Sequence, residues 1–186
     1  MNRINYHKDI FVIEDFLSQQ ECAELIAMAE SIGFEEAKVQ VGEGHQSIIK
    51  SVRNNERILF KSGEFATKFL ERAKPWLPAG LGIYSICGLN ELFRFYKYSP
   101  GQLFKMHSDG SYERNETECS FYTFLLYLND DFEGGETEFE NICTISPKRG
   151  SLLIFIHPLR HEGKVLQSGK KYVLRSDVMY KLIEEV

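Results

Sequence analysis

The sequence predicts a mainly β (α+β) fold, a sandwich or jelly roll with N-terminal helices laid against one sheet. Three observations predict it. From Leu89 onward the chain breaks into short β-rich runs, among them "ELFRFYKY", "LFKMHSD", "FYTFLLYL", "GSLLIFI" and "KKYVLRSDVMY", divided by turn residues such as "SPGQ" and "NDDFEGGE". No helical period of useful length appears in that part. Before Leu89, two segments do carry such a period. Many short strands with few helices are accommodated by two packed sheets, with the helices covering one of them.

In chain order, "MNRINYHKDIFVIEDF" holds no apolar run long enough for a signal peptide, and no stretch approaches the ~20 apolar residues of a membrane span. "SQQECAELIAMAESIGF" opens with Ser18 and Glu21 in a capping-box arrangement, carries Cys22, Leu25, Ile26 and Ala29 at helical spacing, and stops at Gly33. In "KVQVGEGHQSIIKSVRNNERILF", Gly42, Gly44, Asn54 and Asn55 interrupt short β-branched runs, which predicts strands joined by a mobile loop. "SGEFATKFLERAKPWLP" repeats the helical pattern with Phe65, Phe69 and Ala73 and ends at Pro75 and Pro78. The expectation is a single domain over 1–186, with helical N-terminal support over about 1–88 and a β core over about 89–183.

At 186 residues, 43% hydrophobic and 26% charged, the chain is long enough for one sizeable core. A net charge of -5 gives no basic footprint, which argues against nucleic acid or an anionic membrane as partner and favours a small or neutral substrate. Cys22, Cys87, Cys119 and Cys143 lie far apart without a C-x-x-C spacing, so they read as reduced core residues of a cytoplasmic protein.

The stretch "FKMHSDGSYERN" places His107 and Asp109 two residues apart. On a strand these leave the same face about 7 Å apart, given a rise of roughly 3.3 Å per residue. They either converge on one ion or form a solvated surface pair. "GSLLIFIHPLRHEG" ends in His157 and His161, and either histidine would complete a set of two imidazoles and one carboxylate. That set, with its other positions open, is the one used by non-haem Fe(II) oxygenases. Each histidine alone also reads as a surface or capping residue; taken together in a β context, the metal reading is favoured.

Lys171 lies on a run where Lys171, Val173, Arg175 and Asp177 alternate with Tyr172, Leu174, Ser176 and Val178. A cation on an inward strand face is costly unless an anion pairs with it. If no protein carboxylate does so, an acidic cosubstrate is the candidate, and Tyr98 is placed to donate a hydrogen bond to the same carboxylate. The alternatives are a solvated edge charge for Lys171 and a core aromatic for Tyr98.

Together "RFYKYSPGQLFKMHSDG", "FLLYLNDDFEGGETEF", "SPKRGSLLIF" and "HEGKVLQSGKKYVLRSDVMY" resemble the catalytic domain of the prolyl 4-hydroxylase-like branch of the Fe(II)/2-oxoglutarate dioxygenases, most strongly from about Leu92 to Tyr180. The first helix segment resembles that family's N-terminal helix. The resemblance implies a double-stranded β-helix in which His107, Asp109 and a distal histidine hold iron. In the family that histidine precedes a glycine by two residues and a cosubstrate lysine by ten; His161 fits through Gly163 and Lys171, and His157 does not. The family's cosubstrate tyrosine falls on Tyr98, and Thr137 of the "GGET" turn borders the same pocket. Where collagen-type enzymes carry a Lys-Trp pair after the lysine, this chain reads "LRSDVMY".

The implied activity is hydroxylation of a C–H bond with O₂, releasing succinate and CO₂ from 2-oxoglutarate, with ascorbate as the accompanying reductant. The expected substrate is a prolyl or similar residue of a protein or peptide, with Arg53, Asn54 and Asn55 as polar contacts. Oxidation of a small free metabolite is the alternative within enzymes. A non-catalytic β-helix binding module is the alternative outside them, although such a module has no need of His107, Asp109, His161 and Lys171 together.

Overall fold

Two long strands are largely buried, Glu118–Tyr127 with no exposed residue and Lys171–Leu182 along nearly all of its length. A strand buried on both faces must be covered from two sides, and that requirement organises the structure. The computed structural model describes residues 1–37, 39–42, 45–47 and 53–183. These two strands pair antiparallel at the centre of a large sheet, in which the order is Asn2–His7, Ile10–Glu14, Leu152–Ile156, Glu118–Tyr127, Lys171–Leu182, Leu92–Tyr98, Glu56–Lys61 and Glu35–Glu36. A smaller four-stranded sheet runs Phe104–His107, His161–Gly163, Thr137–Phe139 and Cys143–Ile145. This is the jelly roll that the sequence predicts, in the double-stranded β-helix form that the resemblance implies, with helices on one face.

The first helix, Gln19–Ile32, forms where the capping box promised it: the Glu21 N–H donates to Ser18 Oγ, the Glu21 carboxylate accepts from the Ser18 N–H, and Gly33 closes the end. It buries Cys22, Leu25 and Ala29. The second helix, Gly63–Ala73, is capped by Ser62 and buries Ala66, Phe69 and Ala73. Phe69 packs against Phe93 and Phe124 of the large sheet at 5.9 and 6.2 Å between ring centroids. These contacts form a core between the helices and one sheet face. The other face carries a second core, where Tyr96, Leu153, Phe155 and Val173 of the large sheet meet Phe139 and Ile145 of the small one.

The segment before Leu89 therefore supplies more than helical support, because Asn2–His7, Ile10–Glu14 and Glu56–Lys61 are strands of the large sheet. The expected mobile loop between the helices falls largely on residues outside those described. All four cysteines are free, but only Cys22 is buried; Cys119 and Cys143 are partly buried and Cys87 is exposed. Among the described residues, no helix is long and apolar enough to cross a membrane.

Candidate active site

Three strand ends bring the chemistry together. Phe104–His107 pairs with His161–Gly163 in the small sheet, and the register sets His107 directly opposite His161. Asp109 follows two residues later, its N–H bonded to the His157 carbonyl at 3.1 Å. His107 Nε2 lies 3.8 Å from Asp109 Oδ1, and His161 Nε2 lies 3.8 Å from Asp109 Oδ2. One ligand atom from each of the three residues falls within 4.8 Å of the others.

The imidazoles are aimed by their backs. His107 Nδ1 lies 2.7 Å from the Lys105 carbonyl and His161 Nδ1 lies 3.0 Å from the Leu159 carbonyl. Donation there fixes the Nδ1–H tautomer and turns the Nε2 lone pairs toward Asp109. Phe104 stacks on the His107 ring at 3.7 Å, and Phe155 meets the His161 ring at 4.5 Å. Burial drives both imidazoles below the usual histidine range, His107 to about 4, so both are neutral at pH 7. Burial alone would push the Asp109 carboxyl up, but the Arg175 guanidinium and the Thr123 hydroxyl outweigh it and hold the group anionic. Two neutral nitrogen donors and one carboxylate fit an Fe(II) ion with open positions.

Both histidines flagged in the sequence are buried, yet they differ in use. His157 has each ring nitrogen occupied, Nε2 by Ser120 Oγ at 2.8 Å and Nδ1 by Thr123 Oγ1 at 3.1 Å, so it offers nothing to an ion.

The same cavity is lined by Tyr98, Thr137, Lys171 and Arg175 together with the three clustered residues. Lys171 is 4% exposed, and its Nζ donates to the Gly135 carbonyl at 2.6 Å; among the described residues no carboxylate pairs with it. Burial pushes its pKa down to about 8. Gly135 is held at φ +68, and a Cβ there would sit 3.2 Å from Lys171 Cδ, so this turn requires glycine to present its carbonyl. Thr137 Oγ1 shares a 2.7 Å hydrogen bond with Tyr127 Oη. Tyr98, with its hydroxyl pushed by burial up to about 12, stays protonated.

Alternation along the strand makes Arg175 a cation on the same face as Lys171. Its largely covered guanidinium lies 3.1 Å from Asp109 Oδ2 and 3.0 Å from Asp177 Oδ1. Thr123, which donates to Asp109 Oδ2 at 2.5 Å, was not flagged at all. Arg53 and Asn55 are buried, and Arg53 Nε donates to Asn55 Oδ1 at 2.6 Å. The Arg53 guanidinium lies over the rings of Tyr96 and Phe104, at 4.3 and 4.4 Å, and both rings line the cavity.

Residues 93–176 match the sequence model of the 2OG-Fe(II) oxygenase superfamily. The chain is 29% identical over 174 residues to prolyl 4-hydroxylase 1 of Arabidopsis thaliana, covering 82% of this chain and 59% of that relative. It thus spans well under two thirds of that relative's length. Among solved structures, the viral collagen prolyl hydroxylase of Paramecium Bursaria Chlorella virus-1, in its 2OG complex, superposes with a TM-score of 0.68 at 23% identity, covering 94% of this chain and 97% of the other. A prolyl hydroxylase of Trichoplax adhaerens, in complex with a hypoxia inducible factor peptide fragment, gives 0.70 at 19% identity, covering 91% and 83%.

Proposed function

We propose that this chain, a prolyl 4-hydroxylase-like 2OG-Fe(II) oxygenase, hydroxylates a prolyl or similar residue of a protein or peptide at the expense of 2-oxoglutarate and O₂, releasing succinate and CO₂. The observation that carries this reading is one cavity holding both a His-Asp-His donor set and a buried lysine with no carboxylate partner among the described residues. In it, His107, Asp109 and His161 hold Fe(II), and Tyr98 and Lys171 bind 2-oxoglutarate. The bound Fe(II) supplies O₂ activation coupled to decarboxylation of the cosubstrate. Ascorbate as reductant belongs to the same proposal. The unit that acts is the whole of 1–186, since strands on both sides of Leu89 build the large sheet.

The protein's own part is placement. Lys171 receives the far carboxylate of 2-oxoglutarate in a charge-assisted contact, which relieves the penalty of a buried unpaired cation. Tyr98, the register partner of Lys171 on the neighbouring strand, donates its hydroxyl to the same carboxylate. Leu125 and Val173 supply apolar lining to the same cavity. Arg53, oriented by Asn55 at the edge of the cavity, is the group we assign to the substrate's backbone carbonyl. A peptide suits that arrangement because an extended chain presents carbonyls beside each ring. The acidic balance of the chain speaks against nucleic acid. Four free cysteines favour a reducing compartment, which we take to be the cytoplasm.

An anaerobic titration of the metal-free protein with Fe(II) and 2-oxoglutarate should develop the weak visible charge-transfer band of the chelate. Proline-containing peptides should then raise succinate release above the uncoupled rate and gain about 16 Da, the inserted oxygen. Absence of both iron binding and 2-oxoglutarate consumption would overturn the proposal.

A further inference from the structure

The two oxygens of Asp109 are treated differently. Among the described residues, no hydrogen bond is donated to Oδ1, whereas Oδ2 accepts the Thr123 hydroxyl at 2.5 Å and has Arg175 Nη2 at 3.1 Å. Each contact is the end of a longer chain. Thr123 has a single hydroxyl proton, and a carboxylate only accepts. Thr123 Oγ1 must therefore accept at its other contact, the 3.1 Å one to His157 Nδ1, which places the proton of that neutral ring on Nδ1. His157 Nε2 then accepts from Ser120 Oγ at 2.8 Å, and Ser120 Oγ accepts from the Tyr112 N–H at 2.8 Å. Every donor in this series points toward Asp109, and Ser120, Thr123 and His157 are at most 4% exposed.

On the other side, Arg175 is backed by Asp177, whose Oδ2 is held by Arg94 Nη1 at 3.2 Å and by Asn90 Nδ2 at 3.1 Å. Strand register builds this arrangement directly: Thr123 pairs with Asp177, and Arg175 pairs with Arg94. Buried ion pairs contribute little net stability compared with apolar packing of the same volume. A chain of charges through the middle of a sheet therefore calls for another use.

We propose that His157 and Arg175 are positioning residues for the metal centre, clamping Oδ2 of Asp109 from two sides so that Oδ1 is the oxygen offered to the ion. Thr123 transmits the His157 contact, and the Asp177–Arg94–Asn90 group keeps Arg175 in place. The clamp makes Asp109 a one-oxygen ligand, leaving room around the ion for the two imidazoles and an incoming chelate. This inference rests on the metal reading of the site.

The test is Mn(II) binding to the metal-free protein by calorimetry, at a temperature where circular dichroism shows each variant folded. Thr123→Val, His157→Leu and Arg175→Gln should each weaken Mn(II) roughly 10–100-fold, the range for loss of outer partners of metal ligands. His157→Asn, which keeps an N–H where Nδ1–H stood, should recover part of that loss. Thr123→Val is nearly isosteric and decides the matter if Arg175→Gln does not fold. Folded variants that bind Mn(II) like the wild type would overturn the clamp. A wild-type protein that binds neither Mn(II) nor Fe(II) would overturn the metal reading itself.

Discussion

Lys171 and Tyr98 are direct register partners on adjacent strands, and the Lys171 ammonium lies 5.3 Å from the Tyr98 ring centroid. The lysine is buried; among the described residues its ammonium donates to the Gly135 carbonyl and no carboxylate lies within ion-pair distance. A buried cation without a counter-ion destabilises the fold, and its retention trades stability for binding. Lys171→Met should therefore raise the melting temperature of the ligand-free protein by on the order of a few °C while strongly weakening 2-oxoglutarate binding. Tyr98→Phe removes one hydrogen bond to a charged group and should weaken 2-oxoglutarate about 10–100-fold. Differential scanning calorimetry with and without ligand reads both; a Lys171→Met protein less stable than wild type would contradict the first.

The same lysine sets a pH dependence. Its folded pKa is about 8, below its ordinary value of 10.5, so the unfolded chain binds more protons between those values. Stability from this group thus rises as pH increases through that window, and the full burial penalty is present below pH 8. Cosubstrate affinity runs the opposite way, because 2-oxoglutarate binds the protonated lysine. Its dissociation constant should increase above about pH 8, with proton uptake on binding. Calorimetry in buffers of different ionisation enthalpy at pH 8.5 measures that uptake directly; none should be seen with Lys171→Met under conditions that force binding.

At the metal, His107→Ala, Asp109→Ala and His161→Ala should each remove Mn(II) binding, a larger loss than the 10–100-fold expected for outer residues such as His157. In the wild type, Mn(II) at a hundred times its dissociation constant adds about 2.7 kcal/mol of stability, and so about 5–10 °C in a chain of this size. The three alanine variants should show no such rise. If His157→Ala removed the shift and His161→Ala preserved it, the distal ligand would be His157.

Much of this was legible because it is local. Ser18, Glu21 and Gly33 mark both ends of a helix within one stretch of sequence, and the H-x-D spacing singles out His107 and Asp109, although the strand ends at His107 and Asp109 lies just beyond it rather than on the same strand face. The residues by themselves left His157 and His161 as equal candidates, and the spacing to Gly163 and Lys171 in a related family favoured His161. What separates them physically is tertiary: Ser120 and Thr123, on another strand, occupy both nitrogens of His157. Thr123 is 14 residues from Asp109, and Arg175 reaches Asp109 only through the pairing of distant strands. No periodicity carries such cross-strand contacts. Cys87 was misread for a related reason, since an apolar run does not say which face of its strand will be covered.

Arg53 carries the last prediction. Its Nε is committed to Asn55, its guanidinium carbon lies over both the Tyr96 and the Phe104 ring, and among the described residues its buried Nη2 has no hydrogen-bond partner. The loop is pinned to the strand leading to His107, because Asn54 Oδ1 accepts the Leu103 N–H at 2.8 Å. A rigid donor that lacks an acceptor at the edge of a cavity is paired best by a ligand. If that ligand is the peptide, Arg53→Gln should raise the peptide KM about 10–100-fold, the worth of a hydrogen bond from a charged donor. The 2-oxoglutarate dissociation constant and the uncoupled rate should hold at wild-type values. Arg53→Lys should not restore the KM, because an ammonium lacks the planar group that lies over the two rings. An equal loss of 2-oxoglutarate affinity in Arg53→Gln would move this residue from the substrate to the cosubstrate, and the peptide would then need another donor.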